Sequence, residues 1–153
     1  SGPPLGFYDR IVLIEAIDAF ATDDAQALAN LAAIAEEQVF AAGEAVSVRG
    51  VADERITVVV AGRVEGTRAE GALGETYGAG SLVFGVSALG ANAGAFEAIA
   101  AEPTRVLRIE REDYFDLLEE HFGLARAAMK ALTLERERLV NEEERRKAAP
   151  VEG

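Results

Sequence analysis

Between Gln38 and Gly85 the chain is cut by glycine at short intervals, and this punctuation constrains the fold more than any other feature. Gly43, Gly50, Gly62, Gly66, Gly71, Gly74, Gly78, Gly80 and Gly85 separate apolar runs that suit strands and are too short for helices. Val46 and Val48 alternate with polar residues, residues 56–60 are β-branched throughout, and residues 106–109 alternate again. Gly43, Gly50 and Gly62 stand where a strand has to reverse, and glycine enters positive φ without a steric penalty. Many short strands joined by tight turns predict an all-β sandwich or barrel, not βαβ units.

Helical spacing flanks this region on both sides. In residues 8–20, Ile11, Leu13, Ile14, Ile17 and Phe20 recur close to one helical period. Thr22 or Asp23 can cap a second helix running through Leu28, Leu31, Ala32 and Ile34. From Glu110 onward, Tyr114, Phe115, Leu117, Leu118 and Phe122 mark a short amphipathic helix. After Gly123 a long one begins, with Leu124, Ala128, Ala131, Leu132 and Leu139 roughly on one face. Its far end carries Glu142 with Arg146 and Glu143 with Lys147 at i,i+4, and Pro150 stops it. The expected class is mainly β with N-terminal helices and two C-terminal helices.

Composition narrows the function. A chain of 153 residues is long enough for one domain with a real core. It has no cysteine, which excludes disulfides, a thiol nucleophile and thiolate metal sites. A net charge of −12 repels nucleic acid and anionic membrane surfaces, so neither is an expected partner. No apolar run is long enough to span a bilayer and no signal peptide is visible, so a cytoplasmic location is expected. The chain opens on Ser-Gly, so residues 1–7 read as a linker remnant of something longer. His121, the single histidine, reads as a capping or surface residue. The acidic pairs Asp23-Asp24 and Glu36-Glu37 lack the partners of a metal site, and residues 74–80 lack the βαβ setting of a dinucleotide motif. No nucleophile and base are paired, so the chain reads as a non-enzyme without cofactor.

In order, the landmarks are Leu31-Ala-Ala-Ile34, Phe40-Ala-Ala-Gly43-Glu44-Ala-Val46, Val48-Arg49-Gly50 and Val58-Val-Val-Ala-Gly62-Arg63-Val64. Then come Gly80-Ser-Leu-Val-Phe84-Gly85-Val86-Ser87-Ala88-Leu89 and Leu107-Arg-Ile109-Glu-Arg111-Glu-Asp-Tyr114-Phe115. This succession resembles the cyclic-nucleotide-binding domain family, from about Tyr8 to Leu139. The resemblance implies a jelly-roll-like β-roll with flanking helices. The domain is expected over 8–140 (helical 8–36, β-roll 38–110, helices 111–140), with 141–153 a charged helix end and tail.

In binding members of that family the phosphate cassette reads approximately Phe-Gly-Glu-x-Ala-Leu, followed by Arg-Ser/Thr-Ala. Its Glu holds the ribose 2′-hydroxyl and its Arg pairs with the phosphate. Here Phe84-Gly85 and Ala88-Leu89 match the frame, Val86 or Gly85 falls at the Glu position, and Gly94 followed by Ala95 falls at the Arg position. Residues 69–104 contain no Lys, Arg or His, while Glu70, Glu75, Glu97 and Glu102 are present. Losing both contacts costs on the order of 10²–10⁴-fold in affinity, since a hydrogen bond to a charged group is worth about 1.5–3 kcal/mol.

The expected function is therefore that of a ligand-independent regulatory or interaction domain. The stretch Ile11-Val-Leu-Ile14-Glu15 leading to Phe20 resembles family domains appended to bacterial transporter-like proteins. The alternatives are a sensor with an altered, neutral ligand and a cyclic-nucleotide receptor with an unusual cassette. For the sensor, Val86, Ala88, Ala93, Gly94, Ala95 and Phe96 would line an uncharged pocket. Leu132, Leu139 or Val140 are candidates to fill it from within. Leu124, Ala128, Ala131, Leu132 and Leu139 form either a pocket cap or the face by which the C-terminal helix meets its twin or a partner domain.

Overall fold

The computed structural model describes residues 3–51, 54–68, 74–89 and 96–148. Among the described residues two helices, α1 (Phe7–Glu15) and α2 (Ala25–Ile34), precede seven strands, and two helices, α3 (Arg111–Glu120) and α4 (Phe122–Ala148), follow them. The strands are β1 (Glu36–Phe40), β2 (Ala45–Ser47), β3 (Arg55–Ala61), β4 (Val64–Thr67), β5 (Glu75–Tyr77), β6 (Glu97–Ala100) and β7 (Thr104–Glu110). They form two antiparallel sheets, ordered β1-β7-β3 and β2-β6-β4-β5. The outer edge of β3 is covered by residues 80–83, through Gly80 N–H to Val59 O, Val59 N–H to Ser81 O and Val83 N–H to Thr57 O at 2.8–2.9 Å.

β3 lacks polar alternation because both of its faces are buried. Ile56 and Val58, with Leu107 and Ile109 of β7, join a core shared with Ile14, Phe20, Leu31, Tyr114 and Leu124 of the helical layer. Val59 and Val106 turn the other way, into the roll, with Phe40, Val46, Val64, Val83, Phe84, Ala98 and Ala100. By the same two-residue period Thr57 and Arg108 also face inward, and Arg108 Nη1 donates to Thr57 Oγ1 at 2.9 Å.

The first helical stretch does not run unbroken from 8 to 20. It ends at Glu15, Ile17 is extended (φ −88, ψ 125), and a 3₁₀ turn, Asp18–Phe20, drops Phe20 into the core. The α2 cap is also shifted from the expected Thr22 or Asp23. Asp24 accepts from Ala27 N–H, while Thr22 Oγ1 accepts from Asp24 N–H. At the other end of α2, Arg10 donates to the carbonyls of Ala32 and Ala35. The segment before α1 is tied down as well, with Leu5 N–H on Glu37 Oε1 and Arg105 on Pro3 O.

Tyr114 is fully buried, its ring edge-on to Phe20 at 5.7 Å. Burial pushes its phenol up to about 12, and among the described residues its hydroxyl has no partner. Tyr114→Phe removes this desolvated group and keeps the ring packing. It is expected to raise stability by about 1 kcal/mol, read from the urea midpoint at unchanged m.

Candidate functional site

Phe84 opens the cassette with a backbone that only its surroundings can hold. It sits at φ 65, followed by Gly85 at φ 55, and a bulky residue in the left-handed region is strained. The reward is the position of its ring, which is buried in the roll over Gly66. There a Cβ would stand 2.6 Å from Phe84 Cζ. Tyr77 meets the ring edge-on at 5.6 Å, and Phe96 packs against it at 4.7 Å. Gly85–Leu89 then form a single 3₁₀ turn, with Ala88 buried in the roll and Leu89 packed toward the helical core. Val86 lies within that turn. Gly94 and Ala95, like Ala93, lie outside the described residues.

Together these rings leave little room. The cavity bounded by Val46, Ser47, Thr57, Val83, Phe84 and Phe96 measures about 20 Å³, enough for one water. Arg55 and Arg111 also line it, with Ala88 and Phe96 of the pocket expected from the sequence. Arg111 donates to Ala88 O at 2.7 Å, closing the far end of the cassette turn.

The near end is held by Arg68, one residue outside the stretch free of cations. From the end of β4 its guanidinium donates to Phe84 O at 3.1 Å, Ser87 Oγ at 2.5 Å and Glu75 Oε2 at 2.8 Å. It also stands 5.8 and 5.9 Å from the Phe84 and Phe96 ring centres, within cation–π range. Burial raises the Glu75 carboxyl, but bonds from the Tyr77 hydroxyl and Arg68 outweigh it and hold the acid below its ordinary range. Burial, then the Glu75 carboxylate, push the Tyr77 phenol up. The cassette turn is thus clamped by two arginines and backed by three aromatic rings.

Beside the clamp an open groove of about 620 Å³ separates the roll from α4. Arg68, Glu75 and Tyr77 line one wall, and Leu134, Glu135 and Arg138 the other. The long helix divides its apolar residues between two faces. Leu124 and Ala131 are buried in the helical core, Ala128 is half-buried, and Leu132 and Leu139 are exposed, as are Phe122, Met129 and Val140. Leu132, Leu139 and Val140 therefore do not fill the roll; Phe84 and Phe96 do. No helix among the described residues is long and apolar enough to cross a membrane.

The family model described as the cyclic nucleotide-binding domain matches residues 37–121, more than half of the chain. Among curated proteins no sequence matches the chain. Among solved structures it is similar to a cyclic nucleotide-binding-like protein from Brucella abortus, at 26% identity over 72% of this chain and 98% of that one, with a TM-score of 0.60. It is also similar to the Thermus thermophilus catabolite activator protein, at 23% identity over 82% of this chain, with a TM-score of 0.63; the match spans 61% of that protein. The sensor domain of the transcriptional regulator DNR from Pseudomonas aeruginosa aligns at 17% identity over 89% of this chain and 94% of that one, with a TM-score of 0.73. With its β-roll, its cassette turn and this match, the chain belongs to the cyclic nucleotide-binding domain family.

Proposed function

We propose that this domain is a non-catalytic regulatory module whose nucleotide cradle is occupied by its own side chains, with α4 as the output element. One observation carries the reading: Arg68 bonds to both Phe84 O and Ser87 Oγ of the cassette turn while the Phe84 ring fills the roll behind it. A ligand of nucleotide size needs a few hundred Å³, against the 20 Å³ of the cavity inside the roll beside Phe84 and Phe96. Val86 or Gly85 at the position of the family's ribose contact, and Gly94 at that of its phosphate contact, supply neither a carboxylate nor a cation. The exposed apolar stripe of α4, with Phe122, Met129, Leu132 and Leu139, suits a second α4 or a partner domain. The pattern of α1 suits a place in a larger bacterial, transporter-like protein on its cytoplasmic side.

Titration calorimetry with cAMP and cGMP tests the proposal. No saturable heat is expected up to about 1 mM, and a micromolar affinity for either would sink it.

The altered-ligand sensor has one observation in its favour, the open groove beside α4. Its walls carry Arg68, Glu75, Glu135 and Arg138, so a ligand there would be polar and not the neutral one suggested by the sequence.

A further inference from the structure

The α4 helix is held to the body by its first third. Leu124, Ala127 and Ala131 are buried, whereas Glu135 and Arg138, the next residues along the same face, overhang the groove. The orientation of the helix is therefore set near the elbow where α3 ends and α4 begins, at residues 121–123.

His121 is that elbow. Its N–H closes α3 on Leu117 O, and its carbonyl accepts from Leu124 and Ala125 N–H at the start of α4. Its ring, only 13% exposed, reaches back to α2: Nδ1 lies 2.8 Å from Asp24 Oδ2, and Nε2 lies 3.2 Å from Asn30 Nδ2. Asn30 Oδ1 accepts from Gln26 Nε2, which turns the Asn30 amide N–H toward the histidine. The network thus fits a ring carrying its proton on Nδ1, donating to Asp24 and accepting from Asn30. Asp24 also receives the capping bond from Ala27 N–H, and its carboxyl is held below the ordinary range first by that bond and then by His121. The last residue of the elbow, Gly123, presses on the same loop, where a Cβ would meet Thr22 Oγ1 at 2.7 Å.

We infer that Asp24, Asn30 and His121 form a conformational latch that fixes the departure angle of α4 from the N-terminal cap of α2. The inference rests on α4 being the output element but not on the state of the nucleotide cradle. Opening the latch frees the elbow while the roll stays folded, because none of the three residues belongs to the roll core.

The chain has no cysteine, so spin labels at Glu65→Cys on the roll and Lys130→Cys on α4 report the angle directly by electron–electron distance measurement. Asp24→Ser keeps an oxygen for the Ala27 N–H and loses the reach to His121, separating cap from latch. His121→Leu and Asn30→Ala cut the network from the other sides, and His121→Gln retains one polar arm. The Asp24→Ser and His121→Leu variants are expected to broaden or shift the label distance by about 5 Å or more. Amide exchange at Leu124 and Ala125 should rise at least tenfold, with β3 and β7 amides unchanged and His121→Gln in between. An unchanged distance distribution with exchange altered only in the first turn of α2 would reduce the network to a helix cap and overturn the proposal. A uniform rise in exchange across the roll would overturn it too. Neither result bears on cyclic nucleotide affinity, so this failure is distinguishable from that of the proposed function.

Discussion

Gly62→Ala is expected to lower stability by about 2–5 kcal/mol, the largest effect of any single added methyl group among the described residues. Two costs combine at this position. Its φ of +99 lies where an L side chain pays about 1–2 kcal/mol. The new Cβ would also stand 2.6 Å from Pro103 O, 2.6 Å from Thr104 Oγ1 and 2.8 Å from Thr104 Cα. Backbone cannot step aside cheaply, so the overlap adds at least the 1–3 kcal/mol typical of overpacking. Here the β3–β4 turn meets the β6–β7 turn, laced by Thr104 Oγ1, which accepts from Arg63 N–H and lies 2.7 Å from Glu102 O. Gly43→Ala is the matched control, with φ +87 but open space around its Cβ, and should cost only about 1–2 kcal/mol. Urea midpoints of the two variants isolate the collision; equal losses would show that the turns do not press on each other.

The glycines carried most of the legible fold. Positive φ at Gly43, Gly50 and Gly62 follows from turns that the sequence places between β-branched runs. The break between the last two helices was readable from Gly123, and the structure puts α3 and α4 on either side of His121. What local pattern could not show was the extended Ile17, because a helical period continues through a residue whose side chain stays on the core side. Local pattern also puts the α2 cap at Thr22 or Asp23, ahead of Asp24. All three are good caps, and only the side-chain reach to Ala27 N–H selects Asp24.

The site was less legible, for a topological reason. Residues 69–104 are the neighbours of the cassette only along the chain, and its neighbours in space are set by the fold. Arg68 enters from the end of β4 and Arg111 from the start of α3, while Arg108, on the inner face of β7, bonds Thr57 inside the roll. The period-2 alternation of β7 does put Arg108 on the same face as Val106, a signal available in the sequence once the buried face is known. For α4 the difficulty is angular. The arc from Ala131 to Leu132 is wide enough to straddle the edge of the contact, so one residue is buried and the next exposed.

Gly66→Ala tests how the cradle is filled. No positive φ is involved; the added methyl would meet the Phe84 ring at 2.6–2.7 Å. That ring cannot swing away, since Tyr77 and Phe96 flank it and its strained backbone is fixed by Gly85 N–H on Leu82 O and by Arg68 on its own carbonyl. The substitution should cost about 2–3 kcal/mol by overpacking. In a Phe84→Leu background the shorter side chain vacates the collision point, so the same methyl should cost less than about 1 kcal/mol. The cycle then yields a coupling of about 1–3 kcal/mol between residues 66 and 84. A coupling near zero would mean that the ring is not seated on Gly66 in solution, leaving the roll without its plug. If the coupling is found, the small residue in β4 and the left-handed phenylalanine before the cassette turn are two halves of one device. Glycine provides the floor, the strained backbone delivers the ring, and Arg68 holds the carbonyl that keeps it there.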